Sequence, residues 1–138
     1  MYAGNCHCGA IGFRYTTARP PDQWPVRACQ CTFCRRHGAL STSDPKGSIE
    51  FRVAHPESLI RYRFGRRTAD FLICGRCGIY IGAVTESARG RFAVLNANTL
   101  EPRPADLPQP APMDYESETT DDRAVRREQR WTPVSGAI

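Results

Sequence analysis

The sequence has 138 residues and a formal net charge of +5, with 41% hydrophobic and 24% charged residues. A chain of this length buries one core, which predicts a single domain and excludes a two-domain enzyme with a separate dinucleotide-binding half. No apolar run approaches the roughly 20 residues of a membrane helix, and no basic segment followed by an apolar one opens the chain. We therefore expect a cytoplasmic protein without membrane contact.

Short β-strands are predicted over the first hundred residues. Apolar side chains alternate with small or polar ones in several segments, and Gly, Pro and Asp separate these segments. Many short strands with turn signals between them are typical of an all-β sandwich or barrel. Single helical turns are predicted at 56–59 and after Cys34. The predicted strands cover residues 11–15, 49–53, 61–64, 71–73, 79–81 and 92–95.

The charge balance changes after residue 100. Residues 1–100 carry 14 basic and 6 acidic side chains, whereas residues 101–138 carry 5 basic and 8 acidic ones. The change coincides with a proline-rich stretch at 101–113, which cannot lie inside a helix or a central strand and is predicted to be extended. We expect a core unit over 1–100 and a C-terminal extension over 101–138 packed on the same domain.

The end of the chain contains one further predicted helix. It spans 123–130, and either Asp121 or Asp122 could cap it. The segment 131–134, with Trp131 at its start, is predicted to anchor the extension to the domain.

Seven cysteines fall into three groups along the chain. Their number is odd, and a reducing compartment does not preserve disulfides, so metal ligands or reactive thiols are the better interpretation. Their spacing is unlike that of cysteines that serve only as small buried hydrophobes. The groups are Cys6 and Cys8, then Cys29, Cys31 and Cys34, then Cys74 and Cys77.

Seven thiolates divide naturally into four, which close a structural zinc site, and three, which leave one tetrahedral position open. The first and last pairs resemble each other, because Gly9 follows one and Gly78 the other, and glycine permits a tight turn around a bound metal. This favours a structural site from those two pairs, with the middle trio left over. Three alternatives remain: a redox C-x-x-C pair at 74–77, one structural zinc with three spare thiols, and His37 as a fourth ligand or proton carrier. His7 is expected to point away from a metal held by its neighbours.

The three cysteine groups stand in a recognisable context: Asn5-Cys6-His7-Cys8-Gly9-Ala10, then Arg35-Arg36 after the middle group, then Cys74-Gly75-Arg76-Cys77-Gly78. This pattern resembles the glutathione-dependent formaldehyde-activating enzyme family, to which the centromere protein V domain also belongs. The resemblance covers roughly residues 2–100. It implies a β-tent fold of packed antiparallel sheets around a structural zinc. It also implies a carbon–sulfur lyase activity that joins glutathione to formaldehyde. By position, it assigns Cys6, Cys8, Cys74 and Cys77 to the structural zinc, and Cys29, Cys31 and Cys34 to a second, catalytic zinc, giving two zinc ions per chain.

Two residues depart from the family pattern. Gln30 stands where relatives often have His, and Ile79 stands where they often have Thr or Ser. These changes bear on the choice of thiol and aldehyde and leave every predicted zinc ligand in place.

The expected partner is a small-molecule thiol such as glutathione, whose carboxylates an arginine-rich surface could hold. A homodimer is compatible with the sequence. The main alternative is a non-catalytic, zinc-stabilised binding module for a protein or acidic partner. A nucleic-acid partner is not expected, because no base-reading motif accompanies the basic residues, and Tyr62 and Phe64 alternate as core residues of a strand would. The arginines of the predicted surface are Arg35, Arg36, Arg61, Arg63, Arg66 and Arg67.

Overall fold

The computed structural model describes all 138 residues and shows a mostly-β protein with two α-helices, as the sequence predicts. The helices are α1 (Thr32–His37) and α2 (Thr120–Arg130). The strands are β1 (Tyr2–Asn5), β2 (Ile11–Thr16), β3 (Arg27–Cys29), β4 (Ser41–Thr42), β5 (Ser48–Val53), β6 (Leu59–Tyr62), β7 (Asp70–Cys74), β8 (Tyr80–Ser87), β9 (Gly90–Asn96), β10 (Ala111–Met113) and β11 (Thr132–Ser135).

The strands form two sheets that share one strand. One sheet has the order β1-β2-β5-β11, and the other contains β6-β7-β8-β9 followed by β4, β3 and β10. Strand β11 joins them, because Val134 pairs with β5 while Thr132 pairs with β9. All pairings are antiparallel except β10 with β3 and β11 with β5. Neither helix is long and apolar enough to cross a membrane.

The alternation in β2 and β5 builds the main core. Phe13 lies opposite Phe51 and Tyr15 opposite Ile49, and all four side chains are buried. Because successive strand residues point to opposite faces, one register places every apolar member of both strands on the inner side. The predicted strands at 11–15 and 49–53 are therefore confirmed.

The aromatic residues Tyr62 and Phe64 differ from expectation. Tyr62 is 45% exposed, and Phe64 lies beyond the end of β6 rather than in it. Both rings stack on Phe33 of α1, at centroid distances of 5.8 and 5.3 Å. They are not core residues of a strand but part of an aromatic cluster beside α1.

Helix α2 begins earlier than the sequence suggests. The capping residue is Thr119, whose hydroxyl accepts a hydrogen bond from the Asp122 backbone N–H at 3.0 Å. Asp121 and Asp122 lie in the first turn instead, where their charges favour the positive end of the helix. The helical turn predicted near Cys34 is α1, which begins before that residue.

Trp131 anchors the end of α2 in a second apolar cluster. Its ring is 6% exposed and packs with Ala83, Phe92 and Val94. Changing Trp131 to Ala is expected to reduce the free energy of unfolding by about 3–5 kcal/mol, because it leaves a large cavity. Urea unfolding measures this loss. The control is Val125→Ala in α2, where the side chain is 52% exposed and the change should stay within about 0.5 kcal/mol. Equal losses in both variants would contradict the anchoring role.

Candidate metal centres and cavity

The first and last cysteine pairs meet in one cluster. Cys6 and Cys8 lie in the turn after β1, and Cys74 and Cys77 lie at the end of β7 and just beyond it. Their four Sγ atoms all lie within 4.8 Å of one another. Cys8 Sγ is 3.7 Å from Cys6 Sγ and 3.6 Å from Cys74 Sγ. We call this group the four-cysteine cluster.

Two similar turns hold this cluster. The Cys6 N–H donates to the Ile11 carbonyl at 2.8 Å, and the Cys74 N–H donates to the Ile79 carbonyl at 2.9 Å. The glycine that follows each pair has a positive φ, +83° at Gly9 and a nearly equal value at Gly78. An L-residue with a side chain rarely adopts this conformation. The glycine turns expected from the sequence are therefore present.

Backbone N–H groups and burial act in opposite directions on these sulfurs. The Ile11 N–H donates to Cys6 Sγ at 3.4 Å. Burial raises the pKa of Cys74 to about 11. Burial also acts to raise the pKa of Cys77, but backbone N–H groups, led by that of Cys8, outweigh it and lower that pKa to about 6. A bound cation would allow all four sulfurs to be thiolates together.

The middle three cysteines form a second group, which we call the three-cysteine cluster. Cys29 ends β3, Cys31 caps α1 and Cys34 lies in its first turn. The Cys34 N–H donates to Cys31 Sγ at 3.4 Å, and the three Sγ atoms lie within 4.8 Å of one another. Hydrogen bonds from the Cys29 and Cys34 thiols lower the pKa of Cys31 to about 2, whereas hydrogen bonds with Cys29 and then Cys31 raise the pKa of Cys34 far above the ordinary thiol value.

The donor chemistry of both clusters fits a soft metal ion. A zinc–sulfur distance of about 2.3 Å places the sulfurs of a tetrahedral site about 3.8 Å apart, close to the separations in the four-cysteine cluster. All seven cysteines are free thiols, and both groups contain sulfur alone. Thiolate sulfur is a ligand that suits zinc. Each cluster could therefore hold a metal ion.

Only the three-cysteine cluster faces the larger of two adjoining cavities, which has a volume of about 540 Å³. Four aromatic side chains form part of its wall: Phe64, Phe71, Tyr80 and Trp131. Tyr80 is fully buried, and burial followed by the cysteine charges holds its pKa well above the usual value, so its hydroxyl stays protonated. No cysteine of the four-cysteine cluster lines this cavity.

The arginines at this cavity differ in part from those the sequence suggests. Arg61 and Arg63 instead pair with Asp70, at 3.3 and 2.6 Å, and line a smaller cavity of about 390 Å³. Arg36 and Arg67 line neither cavity. Of the predicted arginines, only Arg35 and Arg66 line the larger cavity. Four arginines that were not predicted also line it: Arg27, Arg123, Arg126 and Arg127. Arg123, Arg126 and Arg127 recur at intervals that place them on one side of a helix, and this spacing was the sequence signal that could have identified them.

No histidine joins either cysteine cluster. The His37 ring packs against Phe33 at a centroid distance of 4.4 Å, and His7 is exposed. Gln30, at the position that departs from the family pattern, lines the cavity and donates its side-chain N–H to the Ala28 carbonyl at 2.8 Å. A fourth protein ligand for the three-cysteine cluster is therefore not in place.

Glu118 organises the start of α2. Its carboxylate accepts hydrogen bonds from Arg126 at 2.7 Å and from Arg123 at 3.1 Å. The Arg126 guanidinium also lies over the Tyr115 ring, 3.7 Å from the centroid. These contacts, with the Arg126 hydrogen bond first, hold the pKa of Glu118 below its ordinary value.

Changing Glu118 to Gln is expected to reduce the free energy of unfolding by about 1 kcal/mol at pH 7. Because the folded-state pKa is lowered, this stabilisation is complete above the ordinary pKa of about 4.3 and is lost as the pH falls through the folded-state value. Urea unfolding of both proteins at pH 7 and about pH 3 measures the difference. Glu116→Gln, an exposed neighbour, is the control and should have little effect. A difference that does not shrink in acid would contradict this role.

Fold and geometry together define a mostly-β protein with two cysteine clusters, each of which could hold a metal ion. The model of one family, the glutathione-dependent formaldehyde-activating enzymes, matches residues 1–116. The chain belongs to that family, as the cysteine motifs predict. It is also similar to the crystal structure of a Rhodobacter sphaeroides protein, a Northeast Structural Genomics target, with 31% identity and a TM-score of 0.63. That similarity covers 80% of this chain and 99% of the other. No curated protein matches the chain.

Proposed function

We propose that this protein is a zinc-dependent enzyme that forms and cleaves a thiol–aldehyde adduct, a carbon–sulfur lyase reaction. The substrates are glutathione and formaldehyde or a related pair. The observation that supports this proposal is the position of the three-cysteine cluster on the wall of a cavity, with the four-cysteine cluster away from it. Membership of the family points to the same chemistry.

In this proposal the two clusters have different roles. Cys6, Cys8, Cys74 and Cys77 hold a structural zinc, because four thiolates close a tetrahedral site. The three-cysteine cluster holds the second zinc and leaves one position for a substrate sulfur. When bound there, zinc lowers the pKa of a substrate thiol. A reducing compartment such as the cytoplasm keeps all seven cysteines available as thiols.

The reaction itself is a simple addition. The sulfur of the thiol forms a bond to the carbonyl carbon, the C=O π-electron pair moves to oxygen, and the thiol proton ends on that oxygen. The product is the S-hydroxymethyl thiol, and the reverse reaction breaks the same carbon–sulfur bond. The protonated Tyr80 hydroxyl supplies a hydrogen-bond donor for the developing alkoxide.

Native mass spectrometry of freshly purified, reduced, full-length protein tests this proposal. We expect two zinc ions per chain and, with excess glutathione, one bound glutathione. The Cys31→Ser variant is the control and should keep one zinc and bind no glutathione. One zinc in the unaltered protein, held regardless of thiol, would contradict the proposal and favour a non-catalytic, zinc-stabilised binding module.

A further inference from the structure

The Arg127 guanidinium is buried beside the larger cavity without a charged partner. The residue is 7% exposed and lines that cavity. Its Nη1 donates to Thr68 Oγ1 at 2.8 Å, whereas its buried Nε has no hydrogen-bond partner. The carbon of the guanidinium lies 4.8 Å from the centroid of the Trp131 ring. A buried charge is costly unless it is paired, so this arrangement lacks an anion.

Neither Glu128, the next residue, nor Glu118 supplies that anion, because Glu128 lies 3.8 Å from the Arg89 guanidinium. Glu118 already pairs with Arg123 and Arg126. These two arginines are also neighbours of Arg127, and after burial they are the next causes that lower its pKa, to about 10. Arg127 therefore lies among like charges that a bound anion would offset.

Arg27 has a similar environment on another element. It lies in β3, two residues before Cys29, and its Nη1 donates only to the Ser43 hydroxyl, at 3.0 Å. Six arginines but only two acids, the exposed Asp114 and Glu116, line the cavity. The cavity thus has an excess of positive charge on the wall that also holds the three-cysteine cluster.

We propose that Arg127, with Arg27, forms a carboxylate-binding subsite in this cavity, so that the accepted thiol is one that bears a carboxylate. A carboxylate is the planar acceptor that a guanidinium binds with two parallel hydrogen bonds. The thiol part of this inference rests on the proposed function. The subsite does not rest on the proposed function, because its evidence is the buried, unpaired guanidinium of Arg127. Arg127 lies in α2, beyond residue 116, where the match to the family model ends.

The test compares two small thiols of similar length on the zinc-loaded, full-length protein. 3-Mercaptopropionate has a carboxylate where 2-mercaptoethanol has a hydroxyl. Calorimetric titration should show that the carboxylate thiol binds about tenfold more tightly or better. Arg127→Met should abolish this preference while leaving affinity for the neutral thiol unchanged, and Arg127→Lys should restore part of it. Arg36→Met is the control, because Arg36 is exposed and lines neither cavity.

Three outcomes would overturn the subsite. One is an undiminished preference in Arg127→Met, and another is no preference in the unaltered protein. The third is loss of the second zinc in Arg127→Met, which would mean that Arg127 balances the thiolate charge of the cluster instead. If Arg127→Met fails to fold, Arg27→Gln takes its place and should weaken the preference.

A dicarboxylate without a thiol separates this inference from the proposed function. Glutarate should raise the Tm of the unaltered protein but not that of Arg127→Met. If no thiol binds yet glutarate still does so, the proposed function fails and the subsite stands. If thiols bind and glutarate leaves both Tm values unchanged, the proposed function stands and the subsite fails.

Discussion

Changing Cys74 to Ser is expected to unfold the protein. Cys74 is fully buried, and the cluster it belongs to links β7 to the turn after β1, 66 positions away from Cys8. Structural zinc contributes about 10–16 kcal/mol in zinc-finger peptides, whereas a whole domain is stable by about 5–15 kcal/mol. In the proposed zinc site, losing one ligand therefore removes an amount of free energy comparable to the total stability and leaves a buried hydroxyl without a metal.

Circular dichroism in the near and far ultraviolet, together with the zinc content, measures this loss. A chelator, which would remove zinc from both proposed sites, should have the same effect on the unaltered chain. Cys31→Ser provides the matched control, since it is the same change at a half-buried sulfur of the three-cysteine cluster, and it should leave the spectra unchanged. A folded Cys74→Ser protein with one zinc fewer would show that the four-cysteine cluster is dispensable for folding.

The Cys31→Ser variant is expected to lose the adduct chemistry while keeping the fold. Cys31 caps α1, and its sulfur accepts a hydrogen bond from the Cys34 backbone N–H within the three-cysteine cluster. Its loss leaves two sulfurs, which do not make the three-ligand site of a catalytic zinc. Changing a residue that only hydrogen-bonds to a metal ligand lowers metal affinity or activity by about 10–100-fold. The loss of a ligand itself should therefore reduce the reaction rate by about 100-fold or more.

The rate of adduct formation and cleavage, followed by NMR above the spontaneous background, measures this effect. The control is Arg36→Ala, an exposed position on the same helix that lies outside the cavity. It should retain the full rate. A Cys31→Ser protein as fast as the unaltered one would exclude catalysis by the three-cysteine cluster, even if zinc still bound there.

The parts of the structure that the sequence predicted are governed by local chemistry. Alternation in β2 and β5 identifies the core face, because only one register buries Phe13 and Phe51 together. The glycines after the first and last cysteine pairs mark two turns that need a positive φ. Equal turns suggested that these pairs share a cluster, and the sulfur positions agree.

The parts that the sequence did not predict depend on contacts between distant segments. Strand β11 contains Pro133, which argues against a strand on local grounds, yet its neighbours pair with β5 and β9. The alternation of apolar and charged residues predicts Tyr62 as a core residue, whereas in the structure its ring stacks on Phe33 of α1. The buried position of Arg127 depends on how α2 lies over the cavity, and charge along the chain does not report that.

The placement of β11 has a consequence for synthesis and quality control. The last strand of the chain lies between β5 and β9 and supplies partners to both. A nascent chain cannot complete either sheet until β11 (Thr132–Ser135) leaves the ribosome. A product cut short before Trp131, by a premature stop or by a protease, presents two unpaired strand edges, and such edges promote aggregation. Synthesis through β11 is therefore a condition for completing both sheets.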